Sequence, residues 1–199
     1  VLIDKTNPFG NAHLLPRGVL REPIRNLKRA DFIFITKSDG HAEELRVRIR
    51  ELNANAEIIE CCHKPSYLQN VYTAEHVPLE WFKGRTVTSL SGIAVPQSFE
   101  NSLRMMGAKV IYCERYADHH RYSAQEIIDA VNKAADLRVD ALLTTEKDAV
   151  RFPRLESTPV PVFYLRVAIE LMSGAENFHE AVEHICFRKQ GKKVTRANE

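Results

Sequence analysis

The chain has 199 residues, of which 44% are hydrophobic, 27% charged and 8% aromatic. That balance and length suit one large globular domain or two small ones and exclude collagen-like and disordered chains. Its 28 Lys+Arg stand against 26 Asp+Glu, a formal charge of +2, so no global field commits it to nucleic acid, which is not expected as a partner. No apolar run approaches the roughly 20 residues a membrane-spanning helix needs.

Val1-Leu2-Ile3 reads as a strand already under way in a chain that does not begin with Met, so the later part of a longer protein is expected. Short β-branched runs then alternate with amphipathic stretches, the pattern of βαβ units building a mostly parallel sheet. Strands are expected at 1–4, 32–36, 57–61, 86–90, 109–113, 141–144 and 160–165. Helix faces are expected where Leu45, Ile49 and Leu52 recur at helical spacing, then Phe99, Leu103 and Met106, then Ile127, Val131 and Ala134, and last Phe178, Val182 and Ile185. Ser123 followed three residues later by Glu126 is a capping box that fixes one helix start.

Residues 6–22 carry Pro8, Gly10, Pro16 and Gly18 and are expected as a long loop, which Phe9, Leu14, Leu15 and Leu20 keep from being disordered. Residues 65–84 read as a second irregular stretch linking two sub-regions. The tail from Arg188 holds five basic residues and one acidic, a frayed end or a contact for anionic headgroups. Cys61, Cys62, Cys113 and Cys186, with no charged and apolar leader before them, suit a reducing compartment.

Ligands of open parallel sheets sit beyond the carboxyl ends of the strands, so the segments after each strand are the candidate sites. In the first loop, Arg17 and Arg21 could clamp phosphate oxygens through their guanidinium forks, or serve as surface ion-pair partners. Thr36-Lys37-Ser38-Asp39 fits the [N/T]KxD pattern whose aspartate reads guanine, and equally a turn in which Ser38 or Asp39 caps the next helix. Ser91-Gly92-Ile93-Ala94-Val95-Pro96 would let backbone amides approach a ligand, or form a plain strand-to-helix turn. Asp118-His119-His120 pairs an imidazole that titrates near neutrality with an acid, equipment for taking a proton from an alcohol, or else a solvent-facing loop. Thr144-Thr145-Glu146-Lys147-Asp148 suits phosphate handling, or a helix cap. Adjacent strand residues diverge, so Cys61-Cys62-His63 reads as core and not as zinc ligands. No G-x-x-x-x-G-K-[ST] phosphate loop occurs, so neither a cofactor-binding loop nor a metal site is assigned here.

Taken together, these segments resemble the tetraacyldisaccharide 4'-kinase (LpxK) family, the lipid A 4'-kinases. The stretches that carry the resemblance are Pro8-Phe9-Gly10-Asn11, Leu14-Leu15-Pro16, Gly18-Val19-Leu20-Arg21-Glu22-Pro23, Arg29-Ala30-Asp31 leading to Thr36-Lys37, Ser91-Gly92-Ile93 through Pro96 and Phe99, Asp118-His119-His120, and Thr144-Thr145-Glu146-Lys147-Asp148-Ala149-Val150. They occur in the family's order across nearly the whole chain. The departures are Ala94-Val95 and Arg17-Gly18-Val19, where other members often carry different small residues or proline.

The resemblance implies transfer of the ATP γ-phosphate to the 4'-hydroxyl of a tetraacyldisaccharide 1-phosphate, with Mg²⁺, at the cytoplasmic face of the bacterial inner membrane. It implies an α/β fold, part of a P-loop-kinase-like mostly parallel sheet plus a smaller α/β C-terminal lobe. Residues 1–64 would then be the remainder of the core kinase domain, 65–84 a linker and 85–199 the lobe, with ATP and Mg²⁺ bound mainly by a missing N-terminal half. His119, with Asp118, is the implied catalytic pair, His119 acting with an aspartate from that half; His120 is the fallback. Arg21, Glu22 and Asn11 are implied in binding the glycolipid substrate or its phosphate. The chain alone is expected to be inactive. Two rival expectations belong to other classes: a GTPase-like module using Thr36-Lys37-Ser38-Asp39, and a non-catalytic α/β interaction domain.

Overall fold

A computed structural model describes residues 1–187; the basic tail from Arg188 lies outside the described residues. The chain divides into two compact units, residues 1–63 with the chain from 169 onward, and residues 64–168.

In the first unit, β1 (Leu2–Asp4), β2 (Phe32–Thr36) and the start of β3 (Glu57–Asn70) run parallel, with Leu2 opposite Phe34 and Phe32 opposite Glu57. The period of two along a strand sorts the side chains of β2. Ile33 and Ile35 are fully buried and share a core with Ile3, Phe9, Leu27 and Ile49 of α1 (Glu43–Leu52). Phe32 and Phe34 face the other way and meet Phe178 of α5 (Ala175–Phe187) edge-on, at centroid distances of 5.4 and 4.9 Å. Val182 and Ile185, expected on the same buried face, are 38% and 72% exposed, and Phe178 near the start of α5 makes the helix's aromatic contact with β2. The loop at 6–22 forms no strand or helix; one bridge joins Leu14 to Leu20, and buried Phe9 ties it to the core.

The second unit contains four parallel strands in the order β8 (Val162–Leu171), β7 (Ala141–Thr145), β5 (Thr86–Ser91), β6 (Lys109–Arg115). Alternation along β7 again decides which layer each residue joins. Ala141 and Leu143 pack with Phe99 and Leu103 of α2 (Pro96–Met105), while Leu142 packs with Ile127 and Val131 of α3 (Ala124–Asp136). Each buried leucine stabilises by about 1.5–3 kcal/mol relative to leaving it in water. Pro96 opens α2, where its missing N–H costs nothing. The Ser123–Glu126 capping box forms as expected, Ser123 N–H donating to Glu126 Oε2 at 2.7 Å.

This α/β architecture of mostly parallel strands agrees with the expected fold class. The compact units change over at 63/64 and 168/169, where 1–64, 65–84 and 85–199 were expected. Residues 65–84 are not an irregular connection. β3 continues to Asn70 despite Pro65, β4 (His76–Val77) pairs with it antiparallel, and a 3-10 turn, Leu79–Phe82, buries Phe82 completely. Tyr67 and His76 stack across that pair at 4.5 Å. β3 and β8 are both longer than expected and pass from one unit into the other.

Candidate functional site at the strand ends

Parallel strands bring their carboxyl ends to one edge, and in the second unit three of the segments singled out above converge there. β7 ends at Thr145, which caps the four-residue helix α4 (Glu146–Ala149) by accepting the Asp148 N–H at 3.2 Å. Asp148 is fully buried. One of its oxygens accepts the Thr145 hydroxyl at 2.7 Å and the Gly92 N–H at 3.1 Å, tying the end of β7 to the end of β5. These bonds give the buried side chain the partners that burial of a polar group requires.

Gly92 is required by close packing. A Cβ there would lie 2.7 Å from the Tyr122 hydroxyl and 3.1 Å from the Ala117 carbonyl. The Tyr122 hydroxyl and the second Asp148 oxygen are both buried and complete no hydrogen bond among the described residues. Burial, with the Asp148 carboxylate nearby, pushes the Tyr122 phenol far above its ordinary range.

The turn after β6 is pinned to the same glycine, because the His119 N–H donates to the Gly92 carbonyl at 3.1 Å. His119 adopts φ +64°, a left-handed conformation uncommon for a residue with a Cβ. Its side chain is 65% exposed, with Nε2 3.7 Å from Asp118 Oδ2 and Nδ1 3.0 Å from Arg151 Nη2. His120 has the opposite surroundings. Its ring stacks on Tyr116 at 4.5 Å, meets Tyr122 edge-on, and its Nε2 lies 3.0 Å from Glu126 Oε1 in the capping box. The two adjacent imidazoles thus divide, His119 toward solvent and His120 into the packing around α3.

The other expected residues lie in the first unit. Asn11 spends its amide on its own loop: Nδ2 donates to the Arg17 carbonyl at 3.1 Å and Oδ1 accepts the His13 N–H at 3.3 Å. Glu22 pairs with Arg29 and accepts from Asn26 Nδ2 at 2.9 Å. Arg21 is exposed and makes no hydrogen bond or ion pair among the described residues. It lines, with Glu22, Pro8, Phe9 and Leu20, an apolar-walled cavity of about 620 Å³.

Thr36-Lys37-Ser38-Asp39 is a braced turn. Lys37 pairs with Asp4, the buried Ser38 hydroxyl donates to Glu60, and Asp39 pairs with Lys5. The Lys5 ammonium and the His41 N–H hold the Asp39 carboxyl down at about 2. Neither Ser38 nor Asp39 caps α1, which has Ala42 at its N-cap; instead they accept from the N–H groups of Gly40 and His41, two residues on. An aspartate committed to Lys5 and to its own turn is poorly placed to read a guanine base.

Reasoning from sequence missed Arg151 and Tyr122. Arg151 lies three residues beyond Asp148, in the turn that follows a helix too short to show a period, and Tyr122 reads as an ordinary core aromatic. Their only sequence signal is proximity to segments already singled out.

A family model described as tetraacyldisaccharide-1-P 4'-kinase matches residues 1–186. Among curated relatives, the tetraacyldisaccharide 4'-kinase of Anaeromyxobacter dehalogenans (strain 2CP-C) is 38% identical over 188 residues, covering 92% of this chain and 50% of the relative. That of Elusimicrobium minutum is 38% identical over 157 residues, covering 77% of this chain and 41% of the relative. The chain therefore spans about half the length of such relatives. A crystal structure of LpxK from Aquifex aeolicus, described as an "apo" form in complex with ATP, superposes with a TM-score of 0.62 at 24% identity, covering 92% of this chain and 51% of that one, a likeness of fold.

Proposed function

The chain belongs to the tetraacyldisaccharide-1-P 4'-kinase family, and from that premise we propose that it supplies the acceptor-activating part of a kinase that moves the ATP γ-phosphate to the 4'-hydroxyl of tetraacyldisaccharide 1-phosphate in lipid A biosynthesis. The observation that carries the reading is His119: an exposed imidazole at the strand ends, its backbone pinned in a left-handed conformation by the Gly92 carbonyl. Phosphoryl transfer asks a protein mainly for positioning and charge neutralisation, with an acid–base group beside the attacking hydroxyl. His119 would orient a carboxylate, contributed by the part of the enzyme outside this chain, against that hydroxyl, with Asp118 beside the ring. Arg21, an uncommitted guanidinium on an apolar-walled cavity, would hold a phosphate of the glycolipid; Glu22 steadies the cavity through Arg29, and Asn11 braces the loop that presents both.

Among the described residues no group of three or more His, Cys, Asp or Glu side chains could hold a metal ion, and the sequence carries no phosphate-cradling loop. Nucleotide and metal would be bound by the N-terminal half of the same protein. The working place would be the cytoplasmic face of the inner membrane, where the acceptor's acyl chains reside; among the described residues no helix is long and apolar enough to cross a membrane.

The test is transfer of labelled γ-phosphate from ATP to tetraacyldisaccharide 1-phosphate. The intact enzyme is expected to form the 4'-phosphorylated product and the 199-residue chain alone none; product from the chain alone would contradict the division of labour.

A further inference from the structure

The contact between Arg151 and His119 carries more than proximity. We infer that Arg151 is a positioning residue that fixes the tautomer of His119, leaving Nδ1 bare and the proton on Nε2, so that the outward nitrogen donates a hydrogen bond instead of accepting a proton. A guanidinium has five N–H donors and no acceptor, and it stays charged at any working pH. A separation of 3.0 Å between Arg151 Nη2 and His119 Nδ1 is therefore a hydrogen bond only when Nδ1 offers its lone pair. A neutral imidazole then carries its single proton on Nε2, and a doubly protonated ring would have no lone pair to offer.

The arrangement is built from behind. The Arg151 N–H donates to the Asp148 carbonyl at 2.8 Å, and its guanidinium lies 3.9 Å from the buried Asp148 carboxylate. That carboxylate also accepts the Gly92 N–H, while the Gly92 carbonyl accepts the His119 N–H. Backbone and ring of His119 are thus set from two sides by one polar cluster. The charged groups facing the ring are Arg151 at Nδ1 and the Asp118 carboxylate 3.7 Å from Nε2. An Nε2–H directed outward suits an acceptor, and the acceptor required by the proposed function, on which this inference rests, is the carboxylate that takes the sugar hydroxyl's proton. His119 then acts by holding that carboxylate, and Arg151 acts through His119.

The experiment is long-range proton–nitrogen correlation on the intact enzyme labelled with ¹⁵N-histidine, at mildly alkaline pH; the His119 signals are those absent from His119→Gln. The wild type is expected to show a protonated Nε2 and an unprotonated Nδ1. Arg151→Met, which keeps the aliphatic stem, is expected to average the two nitrogen shifts and lower kcat by about tenfold, with KM for ATP unchanged. Arg151→Lys, whose ammonium is also donor-only, should restore the wild-type pattern and part of the rate. A protonated Nδ1 in the wild type, or an unchanged pattern in Arg151→Met, overturns the inference. These outcomes are separable from the proposed function: full turnover in His119→Ala would end the catalytic reading whatever the tautomer, whereas an unmoved tautomer beside an impaired His119→Ala would end this inference alone.

Discussion

In the first-unit loop at 6–22 the polar side chains that make bonds are committed to the loop's own backbone or to neighbours outside it, whereas around Gly92 in the second unit a polar cluster holds a single residue out. Asn11 is committed to its own loop backbone and Glu22 to Arg29, whereas the guanidinium groups of Arg17 and Arg21 make no bond among the described residues. At the strand ends, Asp148, Gly92 and Arg151 are tied together so that the ring of His119 stands exposed in a backbone conformation few residues adopt. The difference teaches that the two regions should respond differently to damage. A surface loop braced by exposed hydrogen bonds and an exposed ion pair loses little when one is removed. A buried cluster in which one glycine contacts a carboxylate, a phenol and the turn that carries the histidine has no slack.

Gly92→Ala should therefore give the largest structural effect. Its methyl group would meet the Tyr122 hydroxyl and the Ala117 carbonyl, and destabilisation of about 2 kcal/mol is expected in denaturant unfolding of the intact enzyme. A midpoint unchanged from wild type would show that the cluster is looser than described.

A second way to sharpen the comparison lies on α2 and β6. Glu100 is almost fully buried and receives Arg115 through two bonds, Nε at 2.7 Å and Nη2 at 2.8 Å. The Arg115 guanidinium, against the opposing effect of burial, holds the Glu100 carboxyl below its ordinary value of 4.5. A depressed carboxylate contributes stability above its unfolded value and loses it as pH falls through the folded one. Glu100→Gln should lower the thermal midpoint by about 3 °C at neutral pH. The gap from wild type should close as pH drops below 4.5; a gap independent of pH would assign the cost to packing instead of charge.

The smallest effect belongs to the first unit. Asp39→Asn removes a carboxylate committed to Lys5 on an exposed turn, where ion pairs contribute little. The relative use of ATP and GTP by the intact enzyme should not change, and a shift in preference would revive the guanine-reading alternative.

Much of the fold was legible in the sequence wherever a local pattern decides the structure. The β-branched run at 32–36, the apolar strand at 141–145 and the Ser123–Glu126 box all form where expected, since period and capping chemistry are properties of a few adjacent residues. β3 runs well past the expected 57–61, because the apolar run that marks a strand ends at Cys62 while the ladder continues, and a proline at 65 is tolerated where its missing N–H is not needed. Much of the expected apolar face of α5 stays open because burial depends on what lies opposite, which no helical period encodes. In the site, Asp118-His119-His120 was visible as chemistry, but which imidazole faces outward was not. That choice is made by φ +64° at His119 and by Glu126 beside His120, and the partner of the outward ring, Arg151, comes from 32 residues away.

The most direct test of the account compares the two histidines in the intact enzyme, measuring kcat for phosphate transfer to tetraacyldisaccharide 1-phosphate. His119→Ala is expected to lose about 10²-fold or more in kcat with its thermal midpoint nearly intact. His120→Ala, whose ring is packed against Tyr116 and Tyr122, should lower the midpoint while its kcat stays near that of the wild type. Full turnover in His119→Ala, or the larger rate loss in His120→Ala, would contradict the account.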